Sequence, residues 1–381
     1  RTPACIIKNT DRTYCSDFRY ESHSIRDGKY ALEGLPAVYA DDDEAQTLEV
    51  VLEDRVTGVQ AVLLYGVLPE YDIITRSVKI VNASDGRISV KKLAPACLDM
   101  VGGQYDFITF YGRHAMERNM QRMPVGHGVQ KIGSLRGSSS HQYNPAVIMA
   151  EHETTEDAGS CYAMAFVYSG GFQSEAGQDQ YYQTRLLMGL SEEQFAYPLK
   201  AGEEFQSPEV IMSYSSEGLA KLSQNLHGCI RTHLCRGKYK EIVRPILLNS
   251  WEASYFDFTG ESLLKLASEA AKLGIEMFVM DDGWFGKRDS ELRGLGDWKV
   301  NEEKLGCTLG ELIEKINAMG LKFGIWIEPE MVNEDSDLYR EHPDWAFVIP
   351  GRRPNRSRHQ LVLDFSRKEV VDYIYDQICS V

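Results

Sequence analysis

The sequence predicts a multidomain β plus α/β protein: a β-sandwich over residues 1–215, a linker helix over 216–240, and the first part of a (β/α)8 TIM-type barrel over 241–381. Short β-type runs separated by Gly, Asp and Asn continue to about Tyr214, which is typical of a sandwich. After Pro245, apolar runs alternate with helical segments, which indicates a parallel sheet or barrel. The length of 381 residues also favours two domains.

The β-type runs of the first part share apolar content and turn residues at their ends. They include ALEGLPAVYA (31–40), TLEVVLED (47–54), VQAVLLYGVL (59–68) and CYAMAFVYSG (161–170). The spacing of the apolar residues then changes from a β-type to a helical pattern, with apolar residues at Leu219, Leu222, Leu226 and Ile230. This spacing predicts the helix that links the two domains.

Strand and helix alternate in the second part. ILLNSW (246–251) precedes the helical stretch 261–274, and IEMFVMDD (275–282) precedes the helical stretch 308–320. Both helical stretches end in glycine, Gly274 and Gly320, which is a common helix stop. About three such units are present, whereas a closed barrel needs eight, so the barrel is expected to be incomplete.

Three apolar runs end in carboxylates and tryptophan. They are ILLNSWE (246–252), MFVMDDGW (277–284) and KFGIWIEPE (322–330), and all five tryptophans of the chain lie after residue 250. In a (β/α) barrel, residues that follow the carboxyl ends of the strands converge on one cleft. The pattern therefore predicts a sugar pocket.

Composition excludes several classes of function. The net charge of −15 argues against nucleic acid as a partner, because an acidic chain repels phosphate backbones. The eight cysteines have no CxxC spacing, and no run is long and apolar enough to cross a membrane or to form a signal peptide at the start. We expect a soluble cytoplasmic protein with no membrane contact, and a processing or cloning boundary at Arg1.

No cofactor or metal is expected. The nine histidines include no HxxxH or HxH pair, and neither GxGxxG nor a phosphate-binding P-loop occurs.

Longer motifs resemble one family. NSWEASYFDF (249–258), FVMDDGWFGKRD (278–289), GIWIEPEMV (324–332) and RSRHQLVLDFSR (356–367) occur in the order found in the α-galactosidases of glycoside hydrolase family 36. The resemblance extends into the β region through GLPAVY and FYGRHAMERNMQ. It implies an N-terminal β-sandwich, a central (β/α)8 barrel, and retaining hydrolysis of terminal α-galactose from melibiose- or raffinose-type oligosaccharides.

The resemblance also implies five sugar-binding residues. Asp281 and Asp282 match an aspartate pair that accepts hydrogen bonds from galactose hydroxyls, Trp251 and Trp326 match tryptophans that line the galactose subsite, and Arg358 matches an arginine that binds sugar hydroxyls or a carboxylate. Each residue type also has an ordinary structural role. One aspartate of the pair can instead neutralise a Lys or Arg, and the tryptophans can be core residues. Arg358 can be a surface charge.

The resemblance assigns no catalytic residue to this chain. The family nucleophile is an aspartate in a lysine-tryptophan-aspartate motif on the next barrel strand, and the acid/base is an aspartate in a later loop; neither motif occurs here. Glu328 and Glu330 are expected to orient the strand end or a neighbouring loop. Residues 1–381 alone are therefore expected to be inactive.

The expected partners are α-galactoside oligosaccharides and further copies of the chain, since family members are often tetramers. Two alternatives remain at this point: a related α-N-acetylgalactosaminidase or galactosyltransferase, and a non-catalytic galactoside-binding protein.

Overall fold

The computed structural model describes residues 2–193 and 195–381. The chain divides into two compact units, Arg1–Lys240 and Glu241–Val381, which we call the β unit and the α/β unit. Antiparallel sheets dominate the first unit, and a parallel sheet with helices forms the second. The predicted fold class is thereby confirmed.

The strands of the β unit form three antiparallel sheets. The strands are β1 (Cys5–Lys8), β2 (Arg19–Asp27), β3 (Gln46–Asp54), β4 (Val59–Leu68), β5 (Ile73–Asn82), β6 (Ile88–Leu93), β7 (Ala96–Val101), β8 (Tyr105–Arg113), β9 (Met116–Pro124), β10 (Gly128–Gly133), β11 (Tyr143–Glu151), β12 (Cys161–Val167), β13 (Phe172–Gln178), β14 (Gln183–Leu190), β15 (Tyr197–Leu199), β16 (Glu204–Gln206) and β17 (Glu209–Ser215). The largest sheet has ten strands in the order β2-β3-β4-β5-β17-β12-β11-β8-β9, with β16 beside β5. The others have the orders β10-β13-β14-β7 and β1-β6-β15.

The two larger sheets share a core. Phe107 and Val147 come from the ten-stranded sheet and Phe172 and Leu186 from the four-stranded sheet, and all four are fully buried in one cluster. Alternate residues of each strand supply this core, because successive side chains point to opposite faces. Two antiparallel sheets that bury their facing sides in this way form a sandwich.

The prediction of a strand over 31–40 is wrong, because this stretch is irregular in the structure. Gly34 has φ +69° and Pro36 lacks an amide hydrogen, so the stretch cannot form a regular ladder. Leu32, Ala37 and Val38 are buried nevertheless, and the buried Glu209 carboxylate accepts a hydrogen bond from the Val38 amide at 2.7 Å. Lys29 also contacts Glu209, at 2.6 Å, and burial lowers the pKa of Lys29 to about 8.

The predicted linker helix is shorter than expected. Helix α1 spans Gly218–Cys229 and continues as one π-helical turn over Ile230–Leu234, after which Cys235 is extended. Leu222 packs in a buried cluster with Ile108 and Ala163 of the ten-stranded sheet. The helix is therefore part of the β unit.

The α/β unit has a parallel sheet in the order β18-β19-β20 and a separate antiparallel pair, β21-β22. Its elements are β18 (Leu247–Asn249), α2 (Trp251–Ser254), α3 (Gly260–Lys272), β19 (Met277–Met280), α4 (Glu302–Leu305), α5 (Leu309–Ala318), β20 (Lys322–Ile325), β21 (Met331–Asn333), α6 (Asp337–Glu341), β22 (Gln360–Val362) and α7 (Lys368–Ser380).

The helices that connect the parallel strands have clear start and stop signals. Thr259 and Thr308 form capping boxes at the starts of α3 and α5. Gly274 and Gly320 follow the ends of these helices with φ of +83° and +84°, as the sequence predicts. Leu263, Leu312 and Ile316 pack against the sheet residue Phe278 in one buried cluster.

No helix within residues 2–193 and 195–381 is both long enough and apolar enough to cross a membrane.

Candidate functional site

The carboxyl ends of the three parallel strands bring four of the five predicted site residues, Trp251, Asp281, Asp282 and Trp326, to one edge of the sheet. β18 and β19 pair in parallel from Leu247 opposite Met277, and β19 and β20 from Met277 opposite Lys322. Pairing continues past the strands, since the Trp326 amide donates to the Met280 carbonyl at 2.9 Å. The segments after these strands therefore start at the same level.

The first group at this edge is the Asn249 cluster, made of Asn249, Ser250, Trp251 and Asp281. The Asn249 amide nitrogen donates to Asp281 Oδ2 at 2.5 Å, and its oxygen accepts from the Trp251 backbone at 2.7 Å. Ser250 Oγ accepts from the Asp281 amide at 3.1 Å. One asparagine thus orients both a carboxylate and a tryptophan, and these two residues are only half-buried.

The second group is the Asn333 cluster, made of Asp282, Arg288, Asn333 and His359. Asp282 and Arg288 form a fully buried ion pair: Arg288 Nε donates to Asp282 Oδ1 at 2.9 Å and Nη2 donates to Oδ2 at 2.7 Å. Both carboxylate oxygens therefore face the planar guanidinium in a bidentate arrangement. This contact agrees with the alternative role stated above, in which one aspartate of the pair neutralises an arginine.

Asn333 connects this ion pair to the segment that contains Arg358. Its Oδ1 accepts from Arg288 Nη1 at 2.8 Å and from the Leu295 amide at 3.0 Å. Its Nδ2 donates to the carbonyl oxygens of His359, at 3.0 Å, and Glu291, at 3.2 Å. Asp282, Arg288 and Asn333 are 2%, 1% and 0% exposed, so these three side chains are closed to water, whereas His359 is exposed.

Arg358 lies in a strained turn at the start of β22. Ser357 and Gln360 exchange backbone hydrogen bonds at 3.2 and 2.9 Å, and the two residues between them have φ of +50° (Arg358) and +62° (His359). Positive φ at both central positions is the signature of a type I′ turn, which normally takes Asn or Gly. For residues with a Cβ this conformation costs about 1–2 kcal/mol each.

The Arg358 side chain is half exposed and lies between two carboxylates. Nη2 is 3.6 Å from Glu291 Oε1 and Nη1 is 4.0 Å from Glu328 Oε1. Gln360 donates to the other Glu328 oxygen at 3.2 Å. Burial raises the pKa of Glu328, the Arg358 charge opposes that rise, and Glu330 adds to it.

The two predicted tryptophans, Trp251 and Trp326, have different aromatic neighbours. Trp326 is half-buried, its carbonyl accepts from Trp284 Nε1 at 2.9 Å, and its ring centroid lies 6.2 Å from that of Trp298. Trp251 makes edge contacts at 5.1 Å with Tyr255 and Phe256. Trp284 and Trp298 are fully buried core residues, whereas Trp251 and Trp326 keep part of their surface in solvent.

The structure places all five predicted residues in the α/β unit and links four of them in two groups, whereas Trp326 contacts Trp284 and Trp298 instead. Asp281 and Trp251 meet through Asn249, and Asp282 is connected to Arg358 through Arg288, Asn333 and the His359 carbonyl. Their roles as sugar ligands stay predictions. The sequence reading missed Asn249, Arg288 and Asn333. For Asn249 and Asn333 the sequence contained a signal, because each is a polar residue at the end of an apolar run, LLN and MVN.

Within residues 2–193 and 195–381, no group of three or more His, Cys, Asp or Glu side chains is placed to hold a metal ion.

A β-sandwich is followed in this chain by parallel β/α units with carboxylates and tryptophans at the strand ends, an arrangement compatible with a multidomain glycoside hydrolase. Residues 1–200 match the glycosyl hydrolase family 36 N-terminal domain, and residues 204–381 match the melibiase family. The chain belongs to glycoside hydrolase family 36.

Among curated relatives, the chain is 62% identical over its whole length to the bifunctional alpha-galactosidase/sucrose kinase AgaSK of Mediterraneibacter gnavus, of which it covers 41%. It is 44% identical to alpha-galactosidase Mel36A of Lactobacillus acidophilus, of which it covers 52%. The chain thus spans about half the length of the curated relatives it matches.

Solved structures agree with this assignment. The galactosidase domain of AgaSK superposes with a TM-score of 0.97 at 62% identity, over 100% of this chain and 53% of that one. Alpha-galactosidase AgaB of Geobacillus stearothermophilus superposes with a TM-score of 0.97 at 43% identity, again over 100% of this chain and 53% of that one. Variants of AgaA from the same organism have been solved in complex with stachyose and with raffinose.

Proposed function

We propose that the protein containing this chain is a retaining α-galactosidase that removes terminal non-reducing α-galactose from oligosaccharides of the melibiose and raffinose type. The relatives named alpha-galactosidase and the AgaA complexes with raffinose and stachyose support the substrate class. In this proposal residues 1–381 supply the sugar-binding side of the active site.

The Asn249 cluster carries the proposal. The Asp281 carboxylate is half-buried, and Asn249 holds it in the same polar group as Trp251. A carboxylate accepts hydrogen bonds from sugar hydroxyls, and a tryptophan face covers the apolar C–H face of the ring. Such a pair distinguishes a sugar ligand from a charged or wholly apolar one.

The two catalytic carboxylates are proposed to come from outside residues 1–381. A retaining enzyme needs a nucleophile and an acid/base about 5 Å apart across the scissile bond. Asp281 and Asp282 are adjacent residues that follow a strand, where neighbouring side chains point to opposite sides, and Asp282 is already bound by Arg288. Neither aspartate suits that task, so residues 1–381 alone are expected to be inactive.

The test starts with the intact protein purified from its natural source. Its mass is measured beside its turnover of chromogenic α-galactoside and of the matching α-N-acetylgalactosaminide, and proton NMR follows the anomer released from raffinose. We expect a mass well above 43.1 kDa, faster turnover of the galactoside, and α-galactose as the first product. Binding of galactosides without turnover, or preference for the N-acetyl substrate, would replace the proposal with one of its alternatives.

We also propose a homo-oligomer, up to a tetramer, and a cytoplasmic location. The exposed cysteines Cys15 and Cys379 are free thiols, which fits a reducing compartment. Light scattering of the intact protein and fractionation of the source cells test the two proposals. A monomer at micromolar concentration contradicts the first, and recovery outside the cytoplasm contradicts the second.

A further inference from the structure

The turn that carries Arg358 needs support from outside itself. Both of its central residues have positive φ without being glycine, and both are exposed. The hydrogen bonds between Ser357 and Gln360 close the turn but do not fix its direction. Backbone strain of this kind persists where surrounding structure holds it.

Asn333 supplies that support from β21. It pairs with Gln360 across the β21-β22 ladder, so it lies beside the last residue of the turn. Its Nδ2 binds the His359 carbonyl at 3.0 Å and the Glu291 carbonyl at 3.2 Å. Glu291 is also the residue whose carboxylate lies 3.6 Å from Arg358. A single amide group therefore holds the backbone on two sides of the Arg358 side chain.

The orientation of the Asn333 amide is determined by its other partners. Its oxygen accepts from the Arg288 guanidinium and the Leu295 amide, which can only donate, while the two carbonyls at Nδ2 can only accept. Rotating the amide by 180° would break all four hydrogen bonds. The Asp282–Arg288 ion pair thus fixes the direction in which Asn333 donates.

We propose that Asn333 is a positioning residue for Arg358: it transmits the rigid placement of the buried Asp282–Arg288 pair to the turn and so presents the guanidinium to the sugar. The inference rests on the proposed function, in which Arg358 binds sugar hydroxyls. It adds a residue that touches no ligand and yet determines affinity.

The first test is Asn333→Ala in the intact protein. We expect KM for raffinose to rise about tenfold while kcat changes much less, because a ligand contact shared by ground state and transition state is weakened. Asn82→Ala is the matched control. Asn82 is also 0% exposed, its Nδ2 donates to two carbonyls, and its oxygen accepts from a backbone amide, but it lies in the β unit. An equal loss of thermal stability in both variants with unchanged KM in both would overturn the proposal.

The second test is rescue. Glycine adopts positive φ without strain, so His359→Gly in the Asn333→Ala background should restore the turn and return KM to within about threefold of the value in His359→Gly alone. If KM stays tenfold raised in the double variant, Asn333 acts by a different route and the proposal fails.

A third measurement does not depend on activity. Hydrogen exchange of the Ser357 and Gln360 amides should accelerate in Asn333→Ala and not in Asn82→Ala, because those amides close the turn. Unchanged exchange in Asn333→Ala refutes the support of the turn by Asn333. If exchange accelerates but the unmodified protein hydrolyses no α-galactoside, the proposed function fails and the support of the turn stands.

Discussion

The Asn249 cluster contains Asp281 and the Asn333 cluster contains the next residue, Asp282, yet the two clusters differ in burial and in the parts of the chain that they connect. The first is half-buried, and its hydrogen bonds connect two neighbouring strand ends. The second has a buried centre of Asp282, Arg288 and Asn333 and extends to the backbone of the exposed His359. The two adjacent carboxylates thus differ in role: Asp281 is accessible to a ligand, and Asp282 stabilises the structure around Asp281.

The largest expected effect comes from breaking the buried pair. Arg288→Met should destabilise the α/β unit by about 3–5 kcal/mol, because it leaves the Asp282 carboxylate buried without a counter-charge. Denaturant unfolding followed by tryptophan fluorescence measures this, since all five tryptophans of this chain lie in that unit. Asp282→Asn combined with Arg288→Met should recover part of the loss. A loss below about 1 kcal/mol in the single variant would contradict a structural role for the pair.

Asp281→Asn should instead lower activity and leave stability almost unchanged. It keeps the shape of the side chain but removes the charge, so we expect kcat/KM for raffinose to fall about 10- to 100-fold, which corresponds to one or two charge-assisted hydrogen bonds. Stability should change by less than about 1 kcal/mol. Asp376→Asn, at an exposed position of α7, controls for the lost charge. If Asp281→Asn lowers the free energy of unfolding but leaves kcat/KM of the folded protein unchanged, the difference in role between the two clusters is wrong.

A smaller effect is expected from Asn249→Ala, which removes the group that orients Asp281 and Trp251. One hydrogen bond to each is lost, and a net value of about 1 kcal/mol predicts roughly a fivefold fall in kcat/KM. Steady-state kinetics beside Asn317→Ala, an exposed asparagine at the end of α5, provide the comparison. A fall as large as that of Asp281→Asn would mean that Asn249 itself contacts the sugar.

The smallest effect is a pH dependence at Glu328. Its pKa is raised, mainly by burial, so the folded state holds the proton more tightly than the unfolded chain. The stability that this provides is complete below the ordinary pKa near 4.5 and is lost as the pH rises through the raised value. Glu328→Gln should remove that decline, so its stability advantage over the parent should grow as the pH rises above about 4.5.

Unfolding measured between pH 4 and 8 tests this, with Glu314→Gln on the exposed face of α5 as control. Parallel pH curves for the parent and Glu328→Gln would count against the raised pKa.

Local sequence patterns predicted the strands and the helix ends of the α/β unit well. The apolar run MFVM is β19, and Gly274 and Gly320 stop α3 and α5, because strand burial and helix termination depend on neighbouring residues. The 31–40 stretch misled because apolar residues also line buried loops when a side chain such as Glu209 satisfies their amides.

The contact between Arg288 and Asn333 illustrates what local patterns cannot predict. Arg288 was one of several nearby basic residues, and nothing in MVN distinguishes Asn333 from an ordinary polar residue after a strand. Their pairing depends on how β21 and β22 fold back, which is a long-range property. The turn at Arg358 is a further case, because positive φ at an Arg-His pair contradicts the usual preference for Asn and Gly there.

The span of the Asn333 cluster along the chain also sets an order of events during synthesis. Asp282 and Arg288 can pair early, but Asn333 follows Arg288 by 45 residues and His359 follows Asn333 by 26. Until His359 has left the ribosome, Nδ2 of Asn333 lacks this acceptor. The nascent α/β unit is therefore expected to remain loosely packed around Asp282 until synthesis has passed β22, and to depend on chaperones most in that interval.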